Sequence, residues 1–515
     1  LKQVSGKLGV IGLMTLMVLS GVFIFFEDQV TGLVSLLNFD QRKSIDQSGQ
    51  ALHLTYLFAP KDLNPYSNDL ATAARLQDVY QGLVFLDENL NTRPGLAVSY
   101  GLIEDRIWEI TLRNGVKFHD DSSLEVSDVI YSLALAKKKA VGPVADLVAS
   151  VETFEQTGPM SLKIITKKPD PLFLNKLAKM PVLPDGFEDF SQPVGTGPYR
   201  LVDAKDLNKI IYQRFDKYWH DLPYFPEVIV RAMTSKNERV DSLLNGETDF
   251  LVNVPPDVVE EIKSGGFKIE IIPSLEVGFV MFNINDLNFS KTALRKAIAK
   301  GLSKNKFLDL AMGYAKTINQ FIPNGVFGYN PDLIGFVHNQ QESEKEIASV
   351  ISNYEKLKVK FFFPESLKLL GQYFKEQLIG IGLDIELNPL GDLELQEKIQ
   401  AQSLPFYYLG WRNDSGDALP FLKSVLHSKQ SDLYGAFNGM SYKNIQVDKL
   451  IEKSETNLNQ QDRLKDMQEV MRLAVEVDVV GVPLFETQSL FAYRSDLVFN
   501  PRLDSLVYPS QIRKK

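Results

Sequence analysis

Between Lys358 and Leu409 the chain runs strand, helix, strand, helix, strand, and few architectures accept that order. Lys358 to Phe363, Leu383 to Leu387 and Phe406 to Leu409 read as short apolar strands, with helices over Ser366 to Gly380 and Asp392 to Gln402. Gly382 stands just past the first helix, where a residue free to turn left-handed closes a helix end. A strand reached from its predecessor through a helix lies parallel to it. The segment therefore predicts an α/β fold built on a mostly parallel sheet covered by helices.

The same grammar is legible elsewhere. Asp105 to Arg113 places Trp108, Ile110 and Leu112 on one face at the period of a half-buried strand, and Asn114-Gly115 follows as a turn. Ser127 can cap a helix whose Val129, Ile130, Leu133 and Ala136 line one side. Residues 447–476 read as helical, with Leu464, Met467, Met471 and Ala474 as the apolar stripe. No internal period of about 20 to 50 residues occurs, which argues against a solenoid or propeller.

Ahead of this body, Leu8 to Phe26 is a run of uncharged residues, long enough to cross a bilayer once as a helix. Lys2 and Lys7 precede it and Glu27 and Asp28 follow, so residues 1–28 read as a membrane anchor with its short N-terminus in the cytoplasm and the rest outside. A cleaved signal is the alternative reading of the same residues, although Phe23 to Phe26 lacks the small residues of a cleavage site. Residues 29–50 read as a tether: Val30, Leu33, Val34 and Leu37 fall at helical spacing, and a polar stretch follows from Gln41 to Gln50.

Composition removes several chemistries. The 515 residues contain no cysteine, which excludes disulfides, zinc knuckles, iron–sulfur ligation and thiol catalysis together. Net charge is -9, and residues 1–50 hold four charges of each sign, so the whole deficit lies in the body. An acidic body is a poor partner for phosphate backbones, and nucleic acid is not expected. The five histidines are scattered, and His119 in Phe118-His119-Asp120-Asp121 reads as part of a polar turn between strand and helix rather than a metal ligand. Gly195-Thr196-Gly197 lacks a third glycine and is followed by Pro198, so it fails as a dinucleotide loop. No hydrolase elbow, phosphate-binding loop or zinc-protease helix is present, so the chain reads as a non-enzyme with no cofactor or metal.

Four stretches carry a resemblance. Leu112 to Leu133 reads LRNGVKFHDDSSLEVSDVIYSL, and Pro193 to Val202 reads PVGTGPYRLV. Leu63 to Tyr66 with Val79 to Tyr100 forms an entry segment, and Val277 to Ile284 followed by Ala293 to Leu308 forms a crossing into a second half. Together they make the chain similar to the family 5 extracytoplasmic solute-binding proteins of bacterial ABC importers, which include dipeptide, oligopeptide and nickel binders. The matches run from about residue 52 to 508.

That resemblance implies a two-lobed, periplasmic-binding-protein-like fold of type II, of the large cluster C kind with an extra subdomain, and a cleft between the lobes. Subdomain Ia would take residues 51–63, 195–272 and 485–515, subdomain Ib residues 64–194, and lobe II residues 273–484. It also implies a monomer that captures peptides outside the cell and delivers them to a permease and its ATPase. Nickel chelates or oligosaccharides are alternative cargoes, and a sensing or scaffold ectodomain is an alternative role for the same fold. The loop Gly410 to Asp417 is similar to the family's cleft segment, whose first aspartate holds a peptide's α-ammonium. That position is Asp414, with Trp411 as an apolar wall and Asn413 and Asp417 beside it. From subdomain Ib the resemblance offers Asn68, Asp69 and Thr72 as cleft contacts. The sequence departs from the family pattern at Ala418, where proline is usual, and at Asp121, where glycine is.

Overall fold

Two strands of unusual length organise the molecule. The computed structural model describes residues 51–351, 357–431 and 433–515, so the apolar run Leu8 to Phe26 and the tether over residues 29–50 lie outside the described residues. Among those described, no helix is long and apolar enough to cross a membrane. The long strands, Lys268–Phe282 and Gly481–Tyr493, have 15 and 13 residues, where about five or six is usual. They pair with each other inside an 11-stranded sheet.

In chain order the strands of that sheet are β1 (Ala51–Tyr56), β2 (Tyr199–Asp206), β3 (Lys209–Arg214), β4 (Glu227–Ala232), β5 (Phe250–Val252), β6 (Lys268–Phe282), β7 (Ala315–Thr317), β8 (Lys358–Pro364), β9 (Asp384–Leu390), β10 (Phe406–Arg412) and β11 (Gly481–Tyr493). Across the sheet they run β9-β8-β10-β6-β11-β5-β1-β4-β3-β2, with β7 paired to β11. β8 lies parallel to β9 and β10, as the strand and helix alternation requires. The sheet as a whole is mixed, not mostly parallel: β6 is antiparallel to β10 and β11, and β2, β3 and β4 are antiparallel neighbours. The connections explain the difference. β2 and β3 are joined through Leu207 and Asn208, a link that can only turn the chain back, whereas parallel neighbours need a crossover.

A second, four-stranded antiparallel sheet lies between residues 97 and 166, in the order Ala97–Glu104, Ile107–Leu112, Ser161–Thr166, Val151–Gly158. Ile110 and Leu112 point inward, and half-buried Trp108 stacks on Phe173 at 4.9 Å between ring centroids. The helix that follows begins before Ser127. It spans Val126–Lys139 behind Glu125, whose N–H donates to the Asp128 carboxylate at 2.7 Å, so the reaching-back acid and not the serine sets the start. Residues 447–476 likewise form two helices, Ile445–Thr456 and Gln460–Arg472, because the Asn459 side chain accepts from the N–H groups of Gln461 and Asp462 and starts a new one. Met467, Met471 and Ala474 are fully buried, while Leu464 is half-buried.

His119 has a structural task. Its Nδ1 accepts from Gly195 N–H at 3.3 Å, which leaves Nε2 to donate to the Gly197 carbonyl at 3.0 Å. Burial pushes its pKa down to about 4, so the neutral ring this pattern needs is the form present at neutral pH. The ring pins a loop that tolerates only glycine: a Cβ on Gly195 would stand 2.0 Å from the Val79 carbonyl oxygen, and one on Gly197 2.1 Å from that of Asp78. Asp121 adopts φ 73°, the left-handed region that explains why glycine is usual in that turn.

The interior is divided. One apolar cluster draws on residues 52–272 and 491–512. Two others lie on opposite faces of β6 and β10: Phe279, Met281, Leu409 and Trp411 on one, Val280, Phe282, Phe406 and Tyr408 on the other. Strands buried on both faces read as continuous apolar runs, which is how VGFVMF and FYYLGW appear in the sequence. Leu86, Leu90 and Leu172 join the first of these clusters from the other half of the chain.

Candidate functional site

The loop after β10 is built on β6. Arg412 is the register partner of Glu276, and Asn413 donates its N–H to the Leu275 carbonyl at 2.9 Å. Its side-chain amide reaches the same carbonyl at 3.3 Å, while its Oδ1 is buried without a partner. Arg412 is turned toward acids: Nε lies 2.5 Å from Asp414 Oδ1, and Nη2 donates to the Asp504 carbonyl at 2.6 Å. Asp414 therefore stands at the carboxyl end of a central strand with its carboxylate 44% exposed. Trp411 lies inside, 1% exposed, edge-on to Phe421 and Phe437.

Asp417 is differently engaged. Both its oxygens are taken by Arg463, at 2.6 and 2.8 Å, and Oδ1 also accepts from Leu419 N–H at 2.9 Å. Aspartate and arginine are each 4% exposed. A fork-to-fork pair so enclosed fixes the end of the loop and leaves the carboxylate no oxygen to offer. The alanine at 418 has a local reason, because its N–H donates to the Phe327 carbonyl at 2.9 Å, a bond proline cannot make.

The residues from the other half fall in a separate turn. Asp69 caps the helix Leu70–Leu76, its Oδ2 accepting from Thr72 N–H at 2.8 Å and Thr72 hydroxyl at 2.9 Å. Thr72 is enclosed, with its hydroxyl also within 3.0 Å of the Asp62 carbonyl. Asn68 sits against Gly142. No hydrogen bond or ion pair joins this turn to the loop Asn413–Asp417 among the described residues.

Other residues do connect the halves. Asn175 Nδ2 donates to the Ser415 carbonyl at 3.3 Å, and Lys168 Nζ lies 2.8 Å from Glu455 Oε2. Glu455 also accepts from Lys423 and from the Tyr434 hydroxyl. Burial works to raise its pKa, but these donors prevail and hold it down at about 2, below the ordinary 4.5. A carboxylate with a lowered folded pKa stabilises above its ordinary value, and that contribution fades as pH falls through the folded one. Glu455→Gln is thus expected to flatten the decline in melting temperature between about pH 4.5 and pH 2. Parallel wild-type and variant melting curves across that window would remove the assignment.

Arg412, Arg463, Glu455 and Glu486 were not singled out in the sequence. Glu486 left a signal, a lone acid within the apolar run VPLFETQSLFAY. It is 7% exposed, and burial pushes its pKa up to about 7 against the pull of Lys316. Arg463 left none, since one arginine on a polar helix does not announce a partner 46 residues away. No group of His, Asp or Glu side chains among the described residues is arranged to hold a metal ion.

Residues 91–432 match the family described as Bacterial extracellular solute-binding proteins, family 5 Middle. Over 431 residues the chain is 26% identical to the glutathione-binding protein GsiB of Escherichia coli K12, covering 77% of this chain and 84% of that one. The fold is similar to HbpA2 from Haemophilus parasuis, with a TM-score of 0.81 at 18% identity over 90% of this chain and all of that one. It is also similar to the oligopeptide-binding protein AppA from Bacillus subtilis in complex with a nonapeptide, with a TM-score of 0.72 at 19% identity over 90% and 99% of the two chains. These likenesses support an α/β fold of two lobes.

Proposed function

This chain belongs to the bacterial extracellular solute-binding proteins of family 5, and from that premise we propose that it captures a peptide between its two lobes and delivers it to the permease and ATPase of an ABC importer. The carrying observation is Asp414, a half-exposed carboxylate on a loop whose neighbours are fixed on both sides, by Leu275 and by Arg463. An acid so placed can receive a peptide's α-ammonium as a charge-assisted bond in a site that closure dries. Ligand stabilises the closed arrangement because only that state touches it from both lobes. The lobe boundaries are proposed at residues 272 and 485, where the long strands β6 and β11 pass from one half to the other. The protein acts as a monomer outside the cytoplasmic membrane, held there by Leu8 to Phe26, whose apolar length supports that attachment.

Mass spectrometry of what co-purifies with residues 51–515, followed by small-angle scattering with and without the recovered molecule, tests the reading. A bound peptide whose removal expands the particle is the expected result. A bound metal chelate or sugar would change the cargo, and no compaction with any of these would overturn the transport role.

A further inference from the structure

The strand β11 contains one polar side chain that the fold leaves unexplained. Its neighbours are accounted for: Thr487 Oγ1 lies 2.5 Å from the Ser274 hydroxyl, and Ser489 Oγ 2.8 Å from that of Ser505. Glu486 differs, for its Oε1 is fully enclosed and has no hydrogen-bond partner. Lys316 is its register partner on β7 and an opposing charge that acts on it, yet the two form no ion pair among the described residues. Enclosing a carboxylate without a donor is costly, and native proteins seldom do so without a compensating group from elsewhere.

The register says where such a donor would arrive. Trp411, Val277, Glu486 and Lys316 are consecutive partners across β10, β6, β11 and β7. Directly opposed residues in a sheet share a face, so Glu486 lies on the Trp411 side, two strands or about 10 Å away. Asn413, two residues beyond Trp411, carries the other orphaned acceptor of this region, its buried Oδ1. Two acceptors thus lack donors, Asn413 on the loop that carries Asp414 and Glu486 on β11, and neither needs another acid. Both need a donor.

We propose that Glu486 is a second cation-recognising point that selects peptides carrying a basic side chain, in addition to the α-ammonium held at Asp414. The assignment rests on the peptide-binding reading above. The bound cation would supply the hydrogen bonds that the free protein lacks and keep Glu486 ionised. Lys316, exposed at the neighbouring position, can swing into solvent as the ligand enters.

The test is calorimetry with trialanine and with tripeptides in which each position in turn is lysine or norleucine, which keeps the chain length without the charge. At one position lysine is expected to bind about ten- to a hundredfold tighter than norleucine to the wild-type protein, the usual range for a charge-assisted bond. Glu486→Gln is expected to lower the affinity of that lysine peptide to about that of its norleucine counterpart. Binding of every peptide without a lysine preference would overturn this proposal alone, as would equal losses for all peptides in the variant. The norleucine comparison needs no variant, so it decides the matter even if Glu486→Gln folds poorly. An absence of heat with every peptide would instead overturn the peptide-binding reading, and this assignment with it.

Discussion

Asp417→Ala is expected to lower the stability of the folded body by about 3–5 kcal/mol, because it leaves the Arg463 guanidinium buried with no opposing charge. Both partners are 4% exposed, so water cannot replace the lost carboxylate, and the Leu419 N–H loses its acceptor as well. Removing both charges should cost much less than removing one. Asp417→Ala combined with Arg463→Leu is therefore expected to recover much of the loss, a coupling that a double-mutant cycle in denaturant measures directly. A single variant within about 1 kcal/mol of wild type would mean that the loop tolerates an uncompensated charge, and the structural role given to this pair would be wrong.

Asp414→Ala should act on binding instead. The expected loss of peptide affinity is about 2–5 kcal/mol, or roughly thirtyfold to several thousandfold, much of it from the ligand ammonium left unpaired in a closed cleft. Stability should fall less than in Asp417→Ala, since Asp414 is half-exposed and Arg412, 9% exposed, keeps its bond to the Asp504 carbonyl and the Glu276 charge beside it. The two aspartates, three residues apart, thus make different predictions: the Asp417 variant loses mainly stability and the Asp414 variant mainly peptide affinity. Titration of Asp414→Ala with a wild-type ligand reads the difference, and unchanged affinity would move the ammonium site elsewhere.

The loop shows how far the residues alone could reach. The resemblance named Trp411, Asn413, Asp414 and Asp417 together as one ligand-facing set. The structure sorts them by partner: Trp411 lies among Phe421 and Phe437, Asp417 is closed by Arg463, and Asp414 keeps an exposed carboxylate. That sorting depends on residues far away in the chain, and no local pattern encodes it. His119 is the converse case, since the turn signals around it identified a polar turn, and its bonds to Gly195 and Gly197 are what such a turn uses a histidine for.

By itself the sequence determined whatever depends on neighbours along the chain. The apolar runs of β8, β9 and β10, the turn at Gly382 and the missing cysteines are properties of short windows, and the family motifs carried the two-lobed fold with them. Only the tertiary structure decided that the sheet is mixed, that one helix is two, that Glu455 ties one half to the other, and that Glu486 is enclosed without a donor. The physical reason is that strand order, burial and charge pairing are settled by chain segments tens to hundreds of residues apart, and the energy of a buried carboxylate depends on what stands opposite it in space.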